Sequence, residues 1–304
     1  MLSLRVNKHR SDSNRINRSR ITSLTMDRLF TYSIWSAALL VFAVFIWVLG
    51  DLAWQGVPHL SWSFLFSEPQ NAGRAGGIAP ILVSTILIIL VALAAAIPLG
   101  LGTAVWLAEY AGIGNGSGKF GRFVRLSLDV LAGVPSIVFG LFGNAFFCIY
   151  LGLGFSLLAG GLTLACMILP IFIRTSEAGL SAIGKDWRSS AAALGMSRAS
   201  TLWHVLLPAA APAIAAGLIL GIGRATAETA ALIFTSGYVD RMPESLSDSG
   251  RALAVHIYDL SMNVSGGDAA AYASAIVLIV VIMLINTLAL ALTDYWLARR
   301  ITLS

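Results

Sequence analysis

An arginine and a glutamate stand four residues apart, as Arg224 and Glu228, in a stretch otherwise made almost entirely of small and apolar residues. A charge near the middle of a membrane costs about 2.5–3.5 kcal/mol on insertion scales, so the guanidinium must face protein or water and find a partner. The spacing predicts both groups on one helix face, one turn apart. Two chemistries fit: a structural ion pair, or a gate at which the guanidinium meets the oxygens of an anion in bidentate geometry. Covalent chemistry has little to work with. The four histidines, His9, His59, His204 and His256, are scattered without metal-ligand spacing. Gly179, Gly184 and Lys185 fit the spacing of a phosphate-binding loop, but Asp186 stands where Ser or Thr must hold magnesium, and the preceding segment reads as helix rather than strand. Cys148 and Cys166 lie in separate apolar runs and read as small buried hydrophobes. The expectation is a chain that is no enzyme and binds neither metal nor cofactor.

The elements that must position Arg224 follow from composition. With 57% hydrophobic and 12% charged residues in 304, the solvent is a bilayer. A crossing helix needs about 20 apolar residues. Six runs meet that length, at about 29–50, 78–107 (with Pro98 inside it), 127–150, 157–173, 206–235 and 270–297. Their length excludes the short alternating strands of a barrel, so the fold class is all-α, a polytopic bundle with a transmembrane domain over 29–298. Residues 1–28 carry seven Lys and Arg without apolar periodicity and are expected to form a disordered tail, followed by an uncleaved first helix. With the N-terminus placed in the cytoplasm, inner segments receive sixteen basic residues and outer segments three, Arg74, Arg241 and Arg251. That asymmetry predicts both termini in the cytoplasm and accounts for the net charge of +5, so nucleic acid is not an expected partner.

Between spans four and five, the inner loop 174–205 holds Ser189, Ser190, Ala191, Ala192, Ala193, Leu194 and Gly195, then Val205, Leu206, Leu207 and Pro208. Small residues allow close helix approach, Gly195 permits a sharp turn between two short helices, and Pro208 suits the start of a span. This pattern resembles the coupling-loop signature of ABC importer permeases, E-A-A-x(3)-G-x(9)-I-x-L-P. Ser189 occupies the Glu position, Ser190 the first Ala and Val205 the Ile. Further runs are similar to the phosphate-specific (PstA-type) permeases: Leu128 to Gly143 with its Gly133-Val134-Pro135, Arg174-Thr175, Gly223 to Ala230, and Val255 to Asp259. The similarity extends over about residues 26–298.

The resemblance implies a type I (MetI-like) bundle in the bacterial inner membrane that forms half of a phosphate pathway. It implies a second, PstC-like permease as partner, a PstB-like ATPase dimer carrying ATP and magnesium, and a PstS-like extracytoplasmic binding protein. Segments 51–77 and 236–269 would meet that binding protein. Ser189, Ala191, Ala192, Gly195, Val205, Leu207 and Pro208 would dock on the ATPase, the departure at Ser189 removing any salt bridge by that side chain. Arg224, Glu228 and Arg174 become candidates for the anion's route, with Arg224 and Glu228 paired in the closed state. Gly133 and Pro135 could break span three and turn helix-end N–H groups toward an anion, or merely kink it. Gly217 and Gly221 form a G-x-x-x-G face for close packing. Two other readings stay open: an importer of another oxyanion such as sulfate or molybdate, and an ion-coupled secondary transporter, against which the coupling-loop signature argues.

Overall fold

The computed structural model describes the backbone of residues 2–111 and 117–301, and the side chains of residues 26, 28–111 and 118–291. The chain divides into two compact units, Met1–Trp54 and Gln55–Ser304.

The first unit is the body of one helix, α1 (Leu2–Gly56). Its stretch from Arg28 has the length and a mean hydropathy of 2.2 suited to a membrane crossing. The backbone of the basic segment expected to form the tail is drawn as part of α1; its side chains up to Thr25 lie outside the described residues.

The second unit opens with a short helix α2 (Trp62–Phe66), whose N-terminus is capped by the Ser61 hydroxyl accepting from the Phe64 N–H at 3.1 Å. A two-residue antiparallel ladder follows, β1 (Pro69–Gln70) against β2 (Ala75–Gly76), with Pro69 opposite Gly76. Then come the long helices. Helix α3 (Ala79–Val105) continues into a π-helical turn, Trp106–Tyr110. Helix α4 (Ser117–Ala132) is followed by α5 (Ser136–Gly143), which passes into a second π turn, Asn144–Tyr150. Helix α6 (Leu157–Ala182) leads to two short helices, α7 (Lys185–Ala193) and α8 (Arg198–Thr201). A third π turn, Leu202–Leu206, opens α9 (Leu207–Thr226). Helices α10 (Ala230–Ile233), α11 (Leu253–Met262) and α12 (Asp268–Ile301) complete the chain.

Helix α6 is the hub, packing most extensively on α3 and α9. Its face of Leu164, Ile168 and Phe172 is completely or almost completely buried, together with Ile88, Ala92 and Ala96 of α3 and Ala225 of α9. Small residues set the spacing. Gly217 and Gly221 lie against Thr175, Phe172 and Ile168, so the G-x-x-x-G face lets α9 approach α6, and a Cβ at Gly217 would meet that of Thr175 at 3.0 Å.

Among the described residues, five helices are long and apolar enough to cross a membrane, and the bent pair α4–α5 makes a sixth candidate. The broken span coincides with Gly133-Val134-Pro135: Gly118–Ala132 and Ser136–Tyr150 meet at 104°. Pro135 has no N–H to continue α4, and at φ −58° and ψ 142° it caps α5 instead. The fourth span outruns its expected end at Ile173 and stays helical to Ala182. The fifth stops early, at Thr226 rather than near Thr235. At that stop the Glu228 carboxylate accepts from the Ala231 N–H at 3.1 Å, a side-chain cap that competes with continuation of the helix.

Candidate functional site

Polar side chains cluster at two ends of the second unit, and Arg224 stands apart from both. It occupies the last turn of α9 with its side chain exposed. The expected pair with Glu228 is absent among the described residues. Because α9 ends between them, Glu228 leaves the Arg224 face, buries itself to 8% exposure and caps α10. Below Arg224 at steps of four lie Leu220, Ala216 and Pro212, all exposed, while the opposite face of α9 is buried on α6. The result is a stripe of small side chains surmounted by a leucine and an unpartnered guanidinium. A rise of about 1.5 Å per residue puts the guanidinium's Cα roughly 25 Å from the start of α9.

Arg174, by contrast, is fully engaged. Its Nε is 3.0 Å from Asp129 Oδ1, and its Nη1 donates to Glu177 Oε2 at 3.0 Å. The other oxygen of Glu177 accepts from Arg125 Nε, and Arg125 Nη2 donates to the Leu107 carbonyl at 2.9 Å. Glu177 is buried at 7% side-chain exposure, whereas Arg125, Arg174 and Asp129 are 38%, 40% and 54% exposed. A buried carboxylate thus holds two half-exposed arginines, joining α4, α6 and the π turn after α3. These pairs explain why α6 runs on past Ile173: its charged residues are neutralised by neighbours rather than by water.

At the same end the inner-loop signature takes its shape. Helix α7 closes with Gly195 at φ +73°, where the Met196 and Gly195 N–H groups donate to Ala191 and Ala192 carbonyls, each at 3.0 Å. This is the glycine-terminated helix end that the expected sharp turn requires, and a side chain would be strained there. Of the signature residues, Ala191 is buried and Ser189, Ala192 and Gly195 are exposed. The Ser189 hydroxyl turns back to its own helix, donating to the Lys185 carbonyl at 3.2 Å. Val205 sits in the π turn, and Leu207-Pro208 begin α9 with proline at its second position. Gly133 and Pro135 stay exposed at the bend of the third span.

At the opposite end Arg251, 9% exposed, donates from Nε to the Tyr238 carbonyl at 2.9 Å and pairs with Asp259 at 3.0 Å. Beside it His256 is fully buried; loss of solvent, then the Arg251 charge, push its pKa down to about 4, with Asp259 opposing. Neither this cluster nor the Glu177 network was read from sequence. The one available signal was Arg174 and Glu177 at i,i+3 on a helix. The cysteines are unpaired, and no group of three or more His, Cys, Asp or Glu among the described residues could hold a metal ion.

Residues 96–302 match the family described as binding-protein-dependent transport system inner membrane component. A probable ABC transporter permease protein, YqgI, of Bacillus subtilis is 31% identical over 275 residues, covering 86% of this chain and 92% of that one. The phosphate transport system permease protein PstA 1 of Mycobacterium tuberculosis is 32% identical over 276 residues, covering 89% and 88%. Among solved structures, an inward-facing MetNI methionine ABC transporter aligns with a TM-score of 0.53 at 16% identity, over 73% of this chain and 96% of its own. A bacterial ABC transporter that imports the acidic polysaccharide alginate aligns with 0.54 at 16% identity, over 86% and 96%. At such identities the structures speak for the fold alone, a type I importer bundle. The sequence match covers more than half of the chain and its relatives nearly all of it, and on that ground this multi-pass membrane protein belongs to the binding-protein-dependent transport inner membrane component family.

Proposed function

We propose that the chain is the permease subunit of an ATP-driven phosphate importer, supplying one half of the translocation pathway. The observation that carries this is the α9 stripe headed by Arg224. An unpaired guanidinium in a span is expensive unless it meets protein, water or an anion, and its planar donors suit a tetrahedral oxyanion. Pro212, Ala216 and Leu220 would line the route beneath it, facing a PstC-like permease across the pathway. The PstA names of relatives at 31–32% identity support phosphate as the anion.

In this reading both termini and the α7–α8 loop face the cytoplasm, where the loop docks on a PstB-like ATPase dimer that holds ATP and magnesium. A PstS-like binding protein delivers phosphate at the end carrying α11. Glu228 is fixed as a helix cap, so release of phosphate does not come from its competing for Arg224. Arg174 acts inside the Glu177 network, near the exit, as a latch between α4 and α6 rather than as a free anion ligand. The bend at Gly133 and Pro135 lets the third span turn beside the route.

The test is radiolabelled phosphate uptake in a phosphate-starved strain deleted for this protein and lacking other phosphate importers. The wild-type gene restores uptake, and Arg224→Gln at equal membrane abundance lowers it at least tenfold. Unchanged uptake by that variant would remove Arg224 from the route. Restored uptake of labelled sulfate or molybdate without uptake of labelled phosphate would assign a different oxyanion.

A further inference from the structure

The Arg188 side chain, next to the serine that replaces the signature glutamate, is the best-connected in the inner loop. From the fourth position of α7 it reaches back to the end of α6, donating to the carbonyls of Leu180 at 3.0 Å, Ile183 at 2.7 Å and Gly184 at 3.4 Å. Carbonyls at a helix C-terminus lack intrahelical partners and carry partial negative charge, so a cation there satisfies both needs. The same guanidinium forms a two-pronged pair with Glu109 in the π turn that ends α3, Nε lying 3.2 and 3.1 Å from the two carboxylate oxygens and Nη2 completing the fork. Side-chain exposures of 27% and 17% leave the pair largely sheltered. The hydrogen bond to Glu109 raises the affinity of the Arg188 guanidinium for its proton.

Beside this fork is a cavity of about 300 Å³, lined by Glu109, Arg188, Met196, Arg198, Thr201 and Leu206 among others. It is bounded by α7, α8 and two π turns. The short helices border this cavity, and the charged fork adds a directional link beside the apolar cluster that brings Leu202, Val205 and Leu206 together with Leu101 and Val105 of α3. A π turn carries one residue more than an α turn and marks functional or adjustable points in helices.

We propose that Arg188 and Glu109 form a strut that carries displacement of the α7–α8 loop into α3, making both positioning residues for energy coupling. The proposal rests on the reading of that loop as the ATPase contact. The strut attaches the loop to the bundle, while the exposed Ser189 hydroxyl bonds to the Lys185 carbonyl of its own helix.

The experiment uses the complete transporter, with both permeases, ATPase and binding protein, in proteoliposomes, measuring phosphate moved and ATP hydrolysed in one preparation. Glu109→Gln keeps the Arg188 bonds to α6 and loses only the charged fork. It is expected to lower phosphate moved per ATP by about five- to tenfold, the range of an ordinary coupling free energy. Arg188→Lys, which keeps the charge without the fork, falls between it and wild type, and carries the test further should Glu109→Gln fail to accumulate. A merely structural role would reduce both activities together, so an unchanged ratio in Glu109→Gln overturns the strut while leaving the docking reading intact. A wild-type permease that does not co-purify with an ATPase overturns both.

Discussion

The two charged ends of the second unit are built on opposite plans. Around Arg251 the pair is buried on both sides, at 11% and 16% side-chain exposure, and each partner belongs to a loop or helix of the same connection between α10 and α12. Around Glu177 and Arg188 three of the four pairs named above join separate elements, Arg125 and Arg174 are half-exposed, and a cavity lies beside Arg188. Sheltered pairs within one segment fix its shape. Pairs between elements that end on half-exposed arginines, such as Arg125 and Arg174, open at less cost than fully buried ones because the freed guanidinium is rehydrated. The contrast separates an end whose charges fix the shape of one segment, a platform, from an end whose charges link several elements, where we expect motion to be carried.

Breaking the platform should have the largest effect on stability. Arg251→Met strands the Asp259 carboxylate and should cost about 3–5 kcal/mol, whereas Arg251→Met with Asp259→Leu should recover more than half of it. Thermal unfolding in detergent decides, and equal losses in the single and double variants would show that the charges are not what matters there. Acid attacks the same place. The unfolded chain binds a proton at His256 near pH 6.5, but the folded chain resists until about 4. Stability is therefore independent of this group above pH 6.5 and falls as pH drops toward 4, by roughly 3 kcal/mol over the window. His256→Phe should flatten that slope, and a variant as acid-sensitive as wild type would remove the histidine from the account.

The mobile end should respond less in stability than in transport. Glu177→Gln loosens two arginines, and after allowance for their exposure the expected loss is about 1 kcal/mol, read in the same melts alongside a much larger fall in uptake. A loss above the Arg251 variant's would reverse the comparison. Asp129→Asn, at a site more than half exposed, should shift stability by no more than about 0.5 kcal/mol.

Much of this architecture is legible in one chain, and the limits have physical causes. Apolar length located the candidate crossings because the bilayer imposes it. Gly195 and Pro208 announced the turn and the helix start because few residues suit those conformations. The helix ends near Ala182 and Thr226 were hidden, since both depend on where charges find partners. Arg125 meets Glu177 across 52 residues and Arg188 meets Glu109 across 79, distances at which no local periodicity speaks. The Arg224–Glu228 pairing failed for a related reason: i,i+4 spacing means a shared face only while the helix persists, and Glu228 ends it.

The π turn at Leu202–Leu206 has a consequence for how α9 is read as a wheel. One extra residue in a turn sets the angular phase of everything beyond it back by about 100° relative to an unbroken α-helix. Removing a single residue from that turn would thus rotate the Pro212–Leu220–Arg224 stripe toward a different neighbour without altering one of its side chains. The same turn lies within the nine-residue gap of the loop signature and includes Val205, so the phase of the Arg224 stripe and the spacing of the signature change together.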